Sequence, residues 1–487
     1  MAMYLIFCKG VMTVMKFKRQ FAQLSIASAI IASVLGNGPI ASASGSGEGP
    51  GQPAVMYGDT SRPKNVIFLV GDGMGPVYNT AYRYFADNPK TKEVEKTAFD
   101  EYLVGTQQTY SDDDKENITD SAAAGTAFSS GHKTYNGAIG VDKAQHDLES
   151  VLERAKKLGK STGLVSTAEI TDATPAVYTA NIDDRGKKDE IAHQFYDQRI
   201  HNQHKVDVIL GGGAKYFGEE NGNITEQFKK DGYGIVTNCQ QLENAPQDQL
   251  LGLFADKNMS LAIDADDTQP ELLDMEKAAL ERLSKNDKGF FLMVEGASID
   301  KQGHANDITG VMSEMKGFEK AFAKAIDYAK THPDTLVVAT ADHSTGGLSM
   351  GQGSAYEWNP EPIQQMKHSG KWMTEQIADG KSVEETIQAG YGFELDAKEM
   401  KAIQKEADKL KKLDKDSDDY EAQQQKLEVV IQEPINQKSN TGWTTNGHTG
   451  EDVNTYAFGP GADQFRGNID NTDNAKNIFN FFGDVTE

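Results

Sequence analysis

The chain has 487 residues, of which 38% are hydrophobic and 8% aromatic, and its formal net charge at pH 7 is −24. This apolar content can fill a sizeable core and excludes a disordered acidic tail protein. The strong negative charge argues against binding to nucleic-acid phosphates through a basic surface. The two cysteines, Cys8 and Cys239, lack the spacing of a metal knuckle or a redox pair.

Residues 1–43 have the order of features that is typical of a secretory signal peptide. A basic start is followed by an apolar run at 24–35 and by a small-residue cleavage site at 41–43. The run is shorter than the about 20 residues that a spanning helix needs, so it is not a transmembrane helix. We also expect no transmembrane segment in the mature chain. We predict a secreted protein, periplasmic or extracellular, with a translation start at Met1 or Met15. Cleavage would remove four cations and no acidic residue, which brings the net charge to −28.

Apolar, β-branched runs predict strands at 65–70, 162–165, 206–210, 290–294 and 335–340. Segments with helical periodicity lie between several of these runs. Strands that alternate with helices predict an α/β fold, with a central, mostly parallel sheet and helices on both faces. In such sheets ligands bind beyond the carboxyl ends of the strands.

Two helical segments show the apolar spacing most clearly. The first ends at Gly159, a predicted C-cap, and the second lies before the strand at 335–340. Their apolar residues are Leu148, Val151, Leu152, Ala155 and Leu158 in the first, and Val311, Met315, Phe318, Phe322, Ala325 and Ala329 in the second. Both stripes are most simply core faces.

Residues 354–440 differ from the rest of the predicted catalytic domain, which we place at 44–487. They begin with a loop rich in Trp and Pro and become rich in Lys, Glu, Asp and Gln from 397 to 432. We predict a partly helical insertion on the surface, acting as a cap over the site or as an oligomer contact. A charge run of this kind is usually a solvated face.

Carboxylates and imidazoles follow the predicted strands. Mixed Asp and His ligands suit Zn²⁺, whereas oxygen ligands alone suit Mg²⁺. A single Asp-His pair after a strand is more often a hydrogen-bonding pair than a ligand set, but several such signals in one chain favour a metal centre. The candidates are Asp72 after the first strand, Glu295, Asp300 and His304 after the fourth, Asp342 and His343 after the fifth, and His448 near the C-terminus.

Ser121 is the candidate nucleophile. It follows Asp120 at the start of an alanine-rich segment, where either residue could simply be a helix N-cap. A helix N-terminus also favours an alkoxide and an incoming phosphate, so the two interpretations are compatible. No Gly-x-Ser-x-Gly elbow surrounds the serine, which disfavours a Ser-His-Asp hydrolase and indicates activation by a metal ion.

These motifs together resemble the bacterial alkaline phosphatases. The resemblance runs from about Asn65 to Ala462, interrupted by the excursion at 354–440. The blocks that occur in the order of that family are the Asp72 turn, Asp120-Ser121-Ala122, Asp172-Ala173-Thr174-Pro175, residues 295–304, Asp342-His343 and His448.

The resemblance implies a site with two Zn²⁺ ions and one Mg²⁺ ion. It also implies a phosphate-clamping Arg185 oriented by Asp120, and a Lys301 that reaches phosphate through water. The implied ligands are Asp300, His304 and His448 for the first zinc, Asp72, Asp342 and His343 with Ser121 for the second, and Asp72, Thr174 and Glu295 for magnesium, with Asp172 in its outer shell.

The implied reaction is hydrolysis of small phosphate monoesters to alcohol and inorganic phosphate through a phosphoserine at Ser121, with an alkaline pH optimum. We expect a homodimer, and a saline habitat would fit the acidity. Two alternatives are a phosphodiesterase of the same superfamily and a non-catalytic phosphate-binding surface protein. A sulfatase is disfavoured because Ser121 is not followed by the Pro and Arg of that group.

Overall fold

The computed structural model describes residues 62–415 and 417–485, so the predicted signal peptide lies outside the described residues. The strands, in chain order, are β1 Asn65–Gly71, β2 Leu103–Gln108, β3 Ser161–Glu169, β4 Arg199–Ile200, β5 Gln203–His204, β6 Val208–Gly212, β7 Gly234–Val236, β8 Leu250–Leu253, β9 Phe290–Gly296, β10 Thr335–Thr340, β11 Ser344–Thr345, β12 Ser349–Met350, β13 Thr441–Gly442, β14 His448–Thr449, β15 Val453–Phe458 and β16 Gly467–Asp470. Each of the five predicted strands is present. Strand β6 begins two residues after its predicted start at 206.

Ten of these strands form the central sheet, in the order β16-β2-β15-β10-β1-β9-β3-β6-β8-β7. Within the described chain every pairing in this sheet is parallel except the two made by β15. Val70 at the end of β1 pairs with Glu295 of β9 and with Thr340 of β10. The carboxyl ends of these three strands therefore lie side by side at one edge of the sheet.

Helices cover both faces of the sheet, as predicted. They are α1 Pro76–Ala86, α2 Ser121–Ser130, α3 Val151–Lys157, α4 Ala173–Ala176, α5 Lys188–Asp197, α6 Ile224–Lys230, α7 Cys239–Asn244, α8 Leu272–Leu283, α9 Ser298–His304, α10 Ile308–Thr331, α11 Glu361–Gln365, α12 Gly370–Ala378, α13 Val383–Gly390, α14 Ala397–Leu410, α15 Asp418–Ser439 and α16 Asp473–Phe482.

Successive residues of β1 point to opposite faces and belong to two separate apolar clusters. Ile67 and Leu69 pack with α1, α8 and α10 to α15, whereas Phe68 packs with α2, α3, α5 and α16. The predicted apolar stripe of α10 is buried along its whole length. Helix α3 begins at Val151, after its N-cap Ser150. Leu148, the first residue of the predicted apolar stripe, therefore lies outside the helix.

Helices α11 to α15 lie between β12 and β13, which pair with each other in an antiparallel ladder with Met350 opposite Thr441. Their apolar residues, such as Ile377 and Leu427, join the same cluster as α10. This helical block therefore packs on one face of the sheet. No helix in the described ranges is long and apolar enough to cross a membrane. The division of the chain into a catalytic domain and an insertion at 354–440 stays a prediction.

Candidate active site

The carboxyl ends of the central strands carry buried acidic side chains. Asp72 directly follows β1, Glu295 is the last residue but one of β9, and Asp342 lies two residues after β10. Gly73 turns the chain after β1 with a φ of +67°, and its N–H donates to Asp342 Oδ1 at 2.9 Å. A Cβ at this glycine would lie 2.9 Å from the backbone of Asp300. The turn thus brings β1, β10 and α9 close together.

Helix α9 presents Asp300 and His304, which are four residues apart, on one face. His304 Nε2 lies 3.4 Å from Asp300 Oδ2. His448, from β14, places its Nε2 at 3.2 Å from His304 Nε2 and 3.7 Å from Asp300 Oδ1. One ligand atom of each residue lies within 4.8 Å of those of the other two, as a single metal ion would require.

A second group of possible ligands surrounds His343. Its members with mutually close ligand atoms are Asp72, Asp300 and His343, all buried. His343 Nε2 also lies 3.2 Å from Asp342 Oδ2 and 3.6 Å from Asp72 Oδ1. Ser121 Oγ approaches the same nitrogen to 3.2 Å. The nucleophile candidate and the second predicted zinc set therefore meet at one imidazole.

The predicted magnesium residues lie around Glu295. Its Oε2 accepts a hydrogen bond from Ser166 Oγ at 2.5 Å. Burial raises the pKa of Glu295 to about 7, and the nearby Asp172 contributes to the increase. Thr174 is buried in the short helix α4, which Asp172 caps through a hydrogen bond from Ala173 N.

Ser121 is the first residue of α2, and Asp120 is its N-cap. Asp120 Oδ1 accepts from Ala123 N at 2.9 Å, so the cap prediction holds for this residue. Ser121 itself is buried. Its hydroxyl therefore lies where unpaired backbone N–H groups and the helix dipole favour negative charge.

Arg185 lies between two carboxylates of the site. Its Nη1 donates to Asp120 Oδ2 at 3.0 Å and its Nη2 to Asp172 Oδ1 at 3.1 Å. Asp120 Oδ2 also accepts from Gly137 N, and Gly137 O accepts from Arg185 N at 2.9 Å. These contacts fix the plane of the guanidinium.

Lys301 donates to Asp172 Oδ2 at 2.9 Å. Burial by itself would raise the pKa of Asp172, but Lys301, Arg185 and Lys188 lower it well below its usual range. Asp172 therefore forms ion pairs with two cationic side chains, Arg185 and Lys301.

The site as a whole has an excess of negative charge. Burial raises the pKa of Asp72 well above its usual value, and Asp342, Asp300 and Glu295 raise it further. Asp72 Oδ1, Asp342 Oδ2 and Thr174 Oγ1 are buried and have no hydrogen-bond partner among the described residues. Buried polar atoms are normally paired. Divalent cations would satisfy these oxygens and offset the repulsion, so the residues present fit metal ions.

Several residues that orient the candidate ligands have no clear signal in the sequence. Thr345 Oγ1 donates to Asp300 Oδ1 at 2.5 Å and lies 3.2 Å from His343 Nδ1. The Nδ1 atom of His448 lies 2.9 Å from the backbone oxygen of Thr119. Such contacts fix the tautomer and ring orientation of metal-binding histidines. The one feature of the sequence that points to Thr345 as an orienting residue is its position two residues after the Asp342-His343 pair.

Comparison with known proteins identifies the family. A sequence model of the family described as "Alkaline phosphatase" matches residues 63–483. The chain belongs to the alkaline phosphatase family. Alkaline phosphatase 3 of Bacillus subtilis (strain 168) is 45% identical over 467 residues, which are 95% of this chain and 97% of the relative. Alkaline phosphatase 4 of the same strain is 46% identical over 423 residues, 86% of this chain and 89% of the relative.

A solved structure supports the same family. The crystal structure of a cold-active alkaline phosphatase from Shewanella sp. matches with a TM-score of 0.78 at 39% identity, and the match covers 86% of this chain and 100% of that one. The predicted fold class and enzyme class are therefore confirmed. This alkaline phosphatase is a metal-dependent hydrolase of phosphate monoesters.

Proposed function

We propose that this alkaline phosphatase hydrolyses phosphate monoesters through a covalent phosphoserine at Ser121. The observation that carries the proposal is the position of the Ser121 hydroxyl. It begins α2 and lies 3.2 Å from His343 Nε2, next to Asp72 and Asp342. A serine needs activation to act as a nucleophile, and this is the position in the described chain where a serine, a helix N-terminus and a candidate metal group meet.

The metal ligands are proposed as the sequence predicted them. Asp300, His304 and His448 would hold one zinc, and Asp72, Asp342 and His343 the other. Asp72, Thr174 and Glu295 would hold magnesium, with Asp172 outside its first shell. Bound metal ions supply Lewis-acid stabilisation of the attacking and leaving oxygens. The mixed nitrogen and oxygen donors suit zinc, and the oxygen donors around Glu295 suit magnesium.

The chain's own residues then perform binding and orientation. The Arg185 guanidinium would bind two non-bridging phosphate oxygens, while Asp120 and Asp172 hold its plane. Ser121 Oγ gives its proton to solvent and forms a bond to phosphorus, and the bond between phosphorus and the alcohol oxygen breaks. The alcohol takes up a proton. Water then attacks the phosphoserine, which releases inorganic phosphate and restores the Ser121 hydroxyl. We expect an alkaline pH optimum for this reaction.

The test is a Ser121→Ala variant, assayed with an aryl phosphate and, in parallel, with an aryl phosphodiester. We expect phosphomonoester turnover to fall by several orders of magnitude, with unchanged metal content and melting temperature. Acid quenching of the wild type with labelled phosphate should give phosphoserine at 121.

Ser130→Ala is the matched control, because Ser130 lies on the same helix but donates to Thr126 O within that helix. It should keep the wild-type rate. Label on another residue, or wild-type turnover in Ser121→Ala, would refute the assignment. Faster cleavage of the diester than of the monoester would favour the phosphodiesterase alternative.

We also propose that the protein is secreted and forms a homodimer. The first part is supported by the order of basic, apolar and small residues at 1–43, and the second by the resemblance to the family. N-terminal sequencing of the secreted protein and its mass in solution would test the two parts separately. A mature N-terminus near residue 44 and a mass of two chains are the expected results.

A further inference from the structure

A cavity of about 1010 Å³ opens between the catalytic edge of the sheet and the helices α14 and α15. Lys301, His304 and Asn446 line its catalytic side. Lys409 and Lys426 are among the residues that line its opposite side. The helical block between β12 and β13 therefore supplies one wall of a space that adjoins the active site.

The wall from α15 is a face that the fold does not bury. Ala422, Gln425, Lys426 and Val429 have the spacing of one helical face and are all exposed, with Val429 38% exposed. Leu427, on another side of the helix, is completely buried in the core. The residues that line the cavity are thus not needed to pack α15 against the protein.

The charges along this wall are not equivalent. Lys409 Nζ donates to both carboxylate oxygens of Glu406, at 2.9 and 2.8 Å, and Gln423 Nε2 donates to the same carboxylate. Lys426 is exposed and forms no hydrogen bond or ion pair within residues 62–415 and 417–485. The pKa of Glu428, which also lines the cavity, is raised to about 8 because the carboxyl is buried and lies near Asp307. Among the described residues, Lys426 is therefore the lysine of this wall that has no carboxylate partner.

The position of Ser121 indicates on which side of the phosphorus atom the cavity lies. Its hydroxyl lies against His343, and an in-line displacement sends the leaving oxygen away from the attacking one. The other candidate metal group contains His304, which lines the cavity. The alcohol part of a bound monoester would thus extend towards α15.

We propose that this cavity binds the alcohol part of the substrate and that Lys426 favours monoesters whose alcohol carries a second anionic group, such as a carboxylate. The inference rests on the proposed function, because it needs the phosphoryl group at Ser121. Lys426 is a specificity-determining residue in this scheme, whereas the chemistry at phosphorus is independent of it. In a protein of net charge −24, one unpaired cation beside the site gives an anionic alcohol a local attraction that a neutral alcohol lacks.

The experiment compares phenyl phosphate with 4-carboxyphenyl phosphate on the full, metal-loaded enzyme at pH 7.5 and low salt. The measured quantity is the ratio of kcat/KM for the carboxylated substrate to kcat/KM for the neutral one. Lys426→Glu should lower this ratio about fivefold, because an exposed ion pair with the substrate becomes a repulsion. The turnover of phenyl phosphate should stay unchanged. Gln425→Lys, which adds a cation on the same face, should raise the ratio.

Lys401→Glu is the matched control, since Lys401 is an exposed residue of α14 that lines a different groove. It makes the same change in net charge and should leave the ratio as in the wild type. An unchanged ratio in Lys426→Glu would overturn the proposal, and so would an equal decrease in both variants, which would indicate a long-range charge effect. Wild-type enzyme that cleaves neither substrate would instead refute the proposed function.

Discussion

Asp120 Oδ2 accepts a hydrogen bond from Arg185 Nη1 at 3.0 Å, while Oδ1 of the same carboxylate accepts from Ala123 N at 2.9 Å. One side chain therefore caps the helix that begins with Ser121 and also holds the guanidinium. Asp120 therefore contacts both the helix of the proposed nucleophile and, together with Asp172, the proposed phosphate-binding guanidinium. Their relative geometry should depend on the shape of the group at position 185 as well as on its charge.

Replacing Arg185 by Lys should weaken inhibition by phosphate and raise KM, because a point charge replaces a planar fork. The expected loss is about 1–3 kcal/mol, the value for hydrogen bonds to charged groups. Steady-state kinetics with inorganic phosphate as inhibitor measures it. Arg199→Lys is the control, since Arg199 pairs with Asp231 outside the site. Unchanged phosphate affinity would mean that Arg185 only forms ion pairs with Asp120 and Asp172 and does not bind phosphate.

Removal of the metals should abolish activity, and zinc with magnesium should restore it better than either ion alone. His343→Ala and His448→Ala should each reduce bound zinc, because a neutral imidazole is a direct ligand in the proposed sites. Elemental mass spectrometry of the purified variants gives the occupancy. His201→Ala changes an exposed histidine whose ring contacts Lys157 O and should leave the zinc content unchanged. Full occupancy in both ligand variants would refute the ligand set.

The stability of the enzyme should depend on Glu314 between about pH 4.5 and pH 7. Burial raises the pKa of Glu314 to about 7, and Asp264 adds to the increase. The folded state then binds more protons than the unfolded state in this range, so the free energy of unfolding falls as pH rises through it. Glu314→Gln keeps an oxygen acceptor for Ala262 N, which donates to Glu314 Oε1 at 2.7 Å.

Melting temperatures from pH 5 to pH 7.5 check this dependence. The decline with pH should be smaller in Glu314→Gln than in the wild type. Glu384→Gln, a substitution at an exposed position, should leave the change of melting temperature with pH as in the wild type. A slope in Glu314→Gln equal to that of the wild type would mean that Glu314 does not titrate in this range.

Added NaCl should raise the melting temperature and keep or raise kcat/KM up to roughly molar concentration. Acidic groups repel each other and also repel an anionic substrate, and salt screens both effects, with a Debye length of about 10 Å at 0.1 M and 3 Å at 1 M. The measurement is a melting and kinetic series in NaCl, with sucrose as a non-ionic control. A decrease in both quantities with NaCl would show that the negative charge has no such effect.

Five strands of the sheet, β1, β3, β6, β9 and β10, could be predicted from the sequence, whereas the other five could not. Strands β1, β9 and β10 are buried on both faces, so each is a continuous apolar run that stands out. At the edge, β2 has exposed and half-buried positions, and β16 contains no buried residue. Such segments carry little apolar pattern, because their pairing depends on neighbours that are distant in sequence.

The candidate residues of the site were proposed from sequence motifs, but their mutual arrangement required the fold. His448 and His304 are distant in sequence, and their Nε2 atoms lie 3.2 Å apart because β14 pairs with β11, the segment just after Asp342 and His343. Asp300 belongs to both groups of possible metal ligands, and the turn at Gly73 brings it close to the second group. The sequence gives no clear signal for Thr345, because a threonine at that position is also an ordinary strand residue.

The antiparallel ladder of β12 and β13 brings the two ends of the helical block next to each other, with Ser349 opposite Gly442. Because the two ends meet, the length of the chain between them does not set the distance between β12 and β13. Natural variation between these two points could therefore alter which alcohols are accepted while the phosphoryl chemistry stays the same. A helical block transferred from another protein would have to keep the apolar side of α15 that packs near α10, because Leu427 and Ile431 belong to the core there.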